Sequence, residues 1–548
     1  MKSFGRFYSL ASGFLLAAAP AIHAQVAVQI GQNFTGSTYN LNSTALPPDP
    51  NGAIGPRHFV EFINGSFAVY NKTNSHNIKR ISDLKFWSNA GVILSTDSGV
   101  SDPRIIFDPV SQRWFASQVD LDAAAADPTL EANDFLLAVS ATSDPTGVWH
   151  GFLFQADPDN GYFADFPTLG LDTNGVYLSG DMFSGADSPI GPGLVSIPKA
   201  DLLAVTPTID NRTWFGVMSY DIRGQVLQPA ISTDGIGTIL AVTDIGNDSN
   251  PHSNLVSFVV QNAASPSASL SSPAIIGTSS YVVPFDSDQG FPLFTPLQPD
   301  GTTTLAGNDA RLCARVYNVA GVLYAVHNTE LNGRMAIRWY RINAANNTVN
   351  ETGTIADPNL DLFFPAIAAN TNGTVVIVCN GSSLTTFVSC YAYAGQTLNG
   401  VTTFGNAMLL QTGATSYHGD DELLDELLGL PVLSRWGDYN TVTLDPSDPT
   451  RFWSIQMFPS DAANPDVWST QITELLTIAP PQLAIVRTGA NVTVSWPGSA
   501  AAYQLQSIPS LTPPAIWSNV TQTRLTNGNR LYVALPIAGD RQFFRLQK

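Results

Sequence analysis

Short apolar runs bounded by Asp, Asn, Gly or Pro recur along most of this chain, and long stretches with helical spacing are scarce. One unit returns seven times. A polar residue, often followed by Pro, opens an apolar run. Asp, Asn or Gly then turns the chain, and a second apolar run, often with an aromatic, ends on a polar residue. The copies begin at Asp49 (DPNGAIGPRHFVEFIN), Asp102 (DPRIIFDPVSQRWFASQVD), Asp165 (DFPTLGLDTNGVYLSGD) and Gln228 (QPAISTDGIGTILAVTD). The last three begin at Arg311 (RLCARVYNVAGVLYAVH), Phe364 (FPAIAANTNGTVVIVCN) and Asp438 (DYNTVTLDPSDPTRFWSIQ). Gly55, Asp108, Asp172, Asp234 and Asn370 anchor the turns of five copies, and a Pro stands five residues before each: Pro50, Pro103, Pro167, Pro229 and Pro365. Asn318 and Asp445 anchor the others, with Cys313 and Asn440 in place of the proline. Such residues tolerate the backbone conformations that reverse a strand.

The anchors lie 52 to 84 residues apart. Each unit therefore has room for four strands, and second strand pairs are visible in FLLAVSATSD with WHGFLF and in MAIRWYRIN. Four-stranded units repeated about an axis predict an all-β fold, a seven-bladed β-propeller over residues 46–478. A stacked solenoid fits less well, because its repeats are usually shorter and more even. Residues 25–45 are expected to add a strand that closes the ring. From residue 480 to 548 the runs LAIVRTG, NVTVSWPG, YQLQSIP, RLYVALP and QFFRLQK alternate at close spacing, which predicts a small β-sandwich of fibronectin-III-like size.

Composition agrees with many short strands: 13% of residues are charged, with 43 Gly and 37 Pro. Residues 1–24 read as an export leader, with Lys2 and Arg6 before the apolar stretch Phe7 to Ala19 and a small residue at Ala24. The expected location is extracellular or periplasmic, and no later segment is long and apolar enough to insert in a membrane. The net charge is −19, or −21 without Lys2 and Arg6, which argues against nucleic acid and anionic membranes as partners. Cys313, Cys379 and Cys390 are the only cysteines. A bridge between Cys379 and Cys390 across a hairpin and three buried thiols are both open readings.

Several phrases resemble those of secreted bacterial propeller proteins described as sialidase-like or BNR-repeat-like. They are PPDPNGAIGP, SDPRIIFDPVSQRW, SATSDPTGVW, ADFPTLGLDTNGVYLSGDMF and SRWGDYNTVTLDP, spread over the first ~450 residues. SDPTGVW is similar to an Asp-box turn with one extra residue between Asp144 and Gly147. The terminal Phe543-Phe544-Arg545-Leu546 resembles the close of sandwiches that end many exported bacterial proteins. The resemblance implies fold and export rather than a particular reaction.

In a blade, the first strand starts and the second strand ends at one face of the disc. The repeat therefore gathers Asp49, Asp102, Asp165, Gln228, Arg311 and Asp438 with Asn64, Asp120, Asp181, Asp244, His327, Asn380 and Gln456 around one mouth; Arg104, Arg435 and Tyr439 lie close by. Three readings compete for it. In the first, the carboxylates only cap backbone groups and the arginines neutralise them. In the second, Asp49, Asp102 and Asp165 offer hard oxygen ligands to calcium. In the third, clustered carboxylates split their proton affinities for glycan chemistry, and arginines hold a substrate carboxylate. The catalytic candidates are Asp102, Asp165, Asp438, Arg104, Arg311 and Arg435, and the ligand-binding candidates are Asp49, Asn64, Asp181, Asp244, His327 and Tyr439. A lyase would need His327 or Tyr439 as base. The insertion His418 to Pro431 has Leu423, Leu424, Leu427 and Leu428 at helical spacing, which predicts a short amphipathic helix, either a lid or a helix packed on the rim.

No G-x-S-x-G, H-E-x-x-H, C-x-x-C, P-loop or dinucleotide fingerprint is present, and no organic cofactor is implied. The expected function is recognition, with or without cleavage, of a glycan or another cell-surface polymer by a monomer. The alternative is a non-enzymatic adhesive or structural protein.

Overall fold

The computed structural model describes residues 26–547 apart from 126–129, 186–188, 244, 246–250, 287–290, 293, 302–303, 420–432, 479–480, 513–514 and 538–540. The expected leader, residues 1–24, together with Asp244 and the leucine-rich part of the insertion, lies outside the described residues. The chain divides into two compact units, Val26–Ile478 and a second containing the C-terminal residues from 479.

The larger unit is a succession of mostly four-stranded antiparallel sheets, as in β-propellers. The first is Asn51–Ile54, His58–Ile63, Ser66–Asn71 and Asn77–Ile81, and the next Ser98–Asp108, Arg113–Asp122, Asp134–Ser140 and Trp149–Gln155. Then come Phe163–Leu171, Gly175–Phe183, Pro189–Pro198 and Thr213–Val217. Gln225–Pro229, Gly237–Val242 and His252–Gln261 follow, with Ser269–Leu270 and Ala274–Tyr281 sharing the outer edge. Tyr317–Val319, Val322–Leu331, Arg334–Asn343 and Thr348–Ile355 form the next sheet, with Ile231–Ser232 parallel to its first strand. Asp361–Ala369, Thr374–Ser383 and Thr386–Leu398 carry Val401–Phe404 and Met408–Gln411 on their edge. The last sheet is Thr441–Leu444, Arg451–Pro459 and Trp468–Ile478, and its fourth strand is Ala27–Thr38 from the other end of the unit. Each sheet's leading strand lies beside that of the next, and Thr441–Leu444 lies beside Asn51–Ile54.

The turn anchors work as their chemistry suggests. Asp172 Oδ1 accepts from the N–H groups of Asn174 (2.6 Å) and Gly175 (2.7 Å). Asn370 Oδ1 accepts from those of Asn372 and Thr374, both at 2.9 Å. The apolar faces of neighbouring sheets then pack on one another: Val60, Phe62 and Phe67 of the first sheet share a core with Ile105, Trp114 and Leu136 of the second.

The place of Ala27–Thr38 on the last sheet is fixed by a buried carboxylate. Glu61 accepts from Ser37 N (3.0 Å), Ser37 Oγ (2.9 Å), Tyr70 OH (2.7 Å) and Thr470 Oγ1 (2.5 Å). It thereby joins the first sheet to Ala27–Thr38 and to the adjoining strand Trp468–Ile478 of the last.

All three cysteines are free and buried. Cys379 stands opposite Tyr391, and Cys390 opposite Asn380. Alternation along the strands therefore turns the two thiols to opposite faces of the sheet, which accounts for the absence of a bridge.

In the C-terminal unit, Ala484–Thr488, Asn491–Pro497, Arg530–Pro536 and Leu525–Asn527 form one sheet, and Ser518–Asn519, Gln504–Ile508 and Phe543–Gln547 another. Val494, Trp496 and Val533 of the first share an apolar cluster with Leu505, Phe544 and Leu546 of the second.

Candidate functional site

The recurring proline marks a bulge. Asp49, Asp102, Phe166 and Phe364 each precede a proline, and each adopts a positive φ of 47–60°. The leading strands shift register here, between Ser101 and Arg104, Asp165 and Thr168, and Phe363 and Ala366. Proline disfavours the helical region for the residue before it, and a left-handed residue inside a strand makes a bulge that re-aims the side chains around it. The amide at the end of a second strand holds the following bulge. Asn64 Oδ1 accepts from Asp102 N at 2.9 Å, and Asn328 Oδ1 accepts from Phe364 N at 3.0 Å.

The bulges at Asp49, Asp102 and Phe166 border a cavity of about 550 Å³ lined by Asp49, Asn64, Asp102, Asp165, Arg311, Arg435 and Asp438. The carboxylates differ in what they are free to do. Asp49 is buried, with Asn64 Nδ2 on one oxygen (2.8 Å) and Asp438 N on the other (2.9 Å). Asp102 is also buried and accepts from Tyr439 OH (2.9 Å) and Ser101 Oγ (3.0 Å). Burial pushes both carboxyls above the usual carboxylate range, and the negative charge of Asp438 adds to the effect. Asp438 itself pairs with Arg435 at 2.8 Å.

Asp165 differs. It is exposed to the water of the cavity, yet protein surrounds that part of the mouth. Desolvation first, and then the charge of Asp102, raise its carboxyl to about 6, against the pull of the Phe166 N–H and Arg311. Arg311 is held by Asp309, with Nη2 2.7 Å from Oδ2 and Nε 3.0 Å from both oxygens, and lies 4.7 Å from the Phe166 ring centroid. The cavity thus presents three carboxyls raised by desolvation, of which Asp165 is the exposed one, together with one carboxylate in an ion pair and two guanidinium groups.

Four of the catalytic and ligand-binding candidates stand apart from its lining, as do Asp120, Gln228, Asn380 and Gln456, which were expected around the same mouth. Arg104 is buried, 3.6 Å from the Tyr439 ring centroid, with Nε donating to Pro167 O at 2.7 Å. Tyr439 is buried, and burial and neighbouring carboxylates keep its phenol protonated. Asp181, directly across the strands from Asp165, is buried with Oδ1 unpartnered, and burial raises it to about 6. His327 packs between Tyr281 and Tyr340, with Nε2 2.9 Å from the Tyr340 hydroxyl, and burial lowers it to about 4. Neither base of the lyase reading opens into the cavity.

Sequence reasoning missed Asn328, Asn308 and Asp309. Asn328 was legible, because it follows VH as Asn64 follows FI and Asn380 follows VC. Asn308 and Asp309 sit between repeats and carry no periodic signal. Among the described residues, no group of three or more His, Cys, Asp or Glu side chains is arranged to hold a metal ion. The donors already on Asp49 and Asp102 would compete with calcium for the same oxygens.

No protein-family model matches the chain, and no curated protein matches it. Solved structures resemble it distantly. The α-L-arabinofuranosidase of Fusarium graminearum, in complex with arabinobiose, is 9% identical over 81% of this chain and 97% of its own, with a TM-score of 0.38. A protein of unknown function from Dyadobacter fermentans is 10% identical over 71% and 97%, with a TM-score of 0.37. Drosophila Semaphorin 1b is 8% identical over 82% and 87%, with a TM-score of 0.34. Similarities of this size identify neither an activity nor a ligand.

Proposed function

We propose that this is an exported protein that recognises an extracellular glycan in the acidic cavity. One observation carries the reading: Asp165, Asp438, Arg311 and Arg435 open together into a cavity large enough for a sugar unit. Carboxylates and guanidinium groups match the hydroxyl-rich edge of a saccharide, and the two arginines suit a uronate carboxylate.

Cleavage in the same cavity is the second reading, and Asp165 favours it. A carboxyl raised to about 6 remains partly protonated near neutral pH and suits a general acid, with the Arg435-paired Asp438 as the second carboxylate. The larger unit is read as a seven-bladed propeller closed by Ala27–Thr38. The C-terminal sheets are read as a fibronectin-III-like sandwich that serves as a spacer or surface attachment on a monomer.

The test is calorimetric titration of the leaderless chain with a panel of neutral and uronate-containing polysaccharides, with reducing-end release measured in parallel. Binding should weaken at least tenfold in Arg435→Met, whose side chain is half-exposed. If the protein is a hydrolase, Asp165→Asn should lose about 100-fold or more in turnover with binding kept within a few-fold. Binding without turnover would leave an adhesin. Absence of binding, or binding indifferent to Arg435→Met and Asp438→Asn, would sink the glycan reading.

A further inference from the structure

The leading strands have a second end. The acidic cavity takes their starts, and a separate cavity of about 250 Å³ takes their far ends, walled by Ile54, Phe107, Leu171, Tyr317, Val319 and Leu444. Its lining is mainly aliphatic and aromatic, and it holds two charged side chains, Asp108 and Arg315. Asp108 is already neutralised, 2.6 Å from Lys199 Nζ.

Arg315 is not. It is buried, and its guanidinium donates to Gly52 O (3.0 Å), Asn51 Oδ1 and Ile105 O, all of them neutral acceptors. Among the described residues no carboxylate forms an ion pair with it. The Tyr317 hydroxyl, also neutral, is a further partner, and the charge that bears on Arg315 is a second buried cation, Arg104, whose Nη2 is buried without a hydrogen-bond partner. Neutral dipoles satisfy hydrogen bonds but leave the net charge, and a buried charge without a counter-charge costs several kcal/mol. A carboxylate entering from the cavity would offset that cost through charge-assisted hydrogen bonds.

The volume sets the rest of the ligand. An apolar cavity of about 150 Å³ takes up benzene, so this one has room for a ring with a short acidic arm. We propose that the cavity binds a small aromatic monocarboxylate, with the carboxylate directed to Arg315 and the ring against Phe107 and Tyr317. This site is independent of the glycan reading, since it uses none of the residues around Asp165.

The probes are phenylacetate and its neutral counterpart 2-phenylethanol, titrated into the leaderless chain by calorimetry and by ligand-observed NMR. Phenylacetate should bind at least tenfold more tightly than the alcohol, and Arg315→Gln should remove that preference. Because Arg315 is buried and its loss threatens folding, Val319→Trp is the second variant. Val319 is half-buried at the cavity wall, and the larger ring should weaken phenylacetate at least tenfold while the circular dichroism spectrum and cooperative unfolding stay as in the parent. Equal affinity for the two probes, no binding at millimolar concentration, or unchanged affinity in Val319→Trp would overturn the assignment.

Discussion

Replacing Asp181 with Asn should make the protein more stable at pH 8, the reverse of what most buried substitutions do. The Asp181 carboxyl is buried, one of its oxygens lacks a partner, and burial raises it from the ordinary 3.8 to about 6. Between those values the folded protein binds a proton that the unfolded chain releases. Stability therefore falls as pH rises through that window, and the whole penalty is present above it. At about 1.4 kcal/mol for each tenfold change in proton affinity, the penalty is roughly 3 kcal/mol. Asn keeps an oxygen for the Val226 N–H that now bonds the carboxylate, but its own N–H groups need desolvation, so the expected net gain is about 1–3 kcal/mol. Unfolding entropy of about 2.1 cal/mol/K per residue, over roughly 450 residues in the larger unit, makes 1 kcal/mol worth about 1 °C. Calorimetric scans should show Asp181→Asn about 1–3 °C above the parent at pH 8 and no advantage at pH 4. A lower Tm at pH 8, or the same difference at both pH values, would refute the reasoning.

Asp49, Asp102 and Asp165 are raised in the same direction by burial, so the parent's Tm should climb as pH falls from 7.5 to 5.5; a flat or opposite profile would count against the described burial of the acidic mouth. Glu61→Leu should strand the buried Ser37 and Tyr70 donors, costing about 3–5 kcal/mol and speeding hydrogen exchange selectively over Ala27–Thr38; unchanged protection there would show that Glu61 does not hold the closing strand. Calcium added to chelator-stripped protein tests the ion reading of Asp49, Asp102 and Asp165. With donors already on Asp49 and Asp102, a Tm rise of less than about 1 °C is expected for a weak or absent site, and a large rise lost in Asp102→Ala would establish the ion instead.

The sheets were legible because a repeat exposes the same physics many times over. Asp172 and Asn370 announce their turns by side chains that bond the backbone just beyond them, and this is local chemistry. What the proline meant was not legible. It reads as a strand start, and it is a bulge with the preceding residue at positive φ, a conformation visible only when the register of two strands is compared. That shift of one place decides the site. Asp102 stands directly before its proline, turns inward and is bound by Tyr439 and Ser101. Asp165 stands two places before its own, so Phe166 takes the buried position and Asp165 is left facing the cavity. Copies that look alike in sequence therefore yield one structural carboxylate and one available for chemistry.

The same contrast separates architecture from function in the rest of the mouth. Asp49, Asn64 and Asp102 obey the repeat and spend their hydrogen bonds on one another and on the bulges. Arg435 and Asp309 lie outside the repeated units, and Arg311 faces the mouth from a copy that lacks the proline. A repeated residue answers a need that every sheet shares, which is to turn and hold a strand. A ligand, by contrast, occupies the mouth once and needs groups that differ from sheet to sheet. Asp165, displaced from the register of its neighbours, belongs with the second kind, and for that reason its substitution is the sharpest probe of what this cavity does.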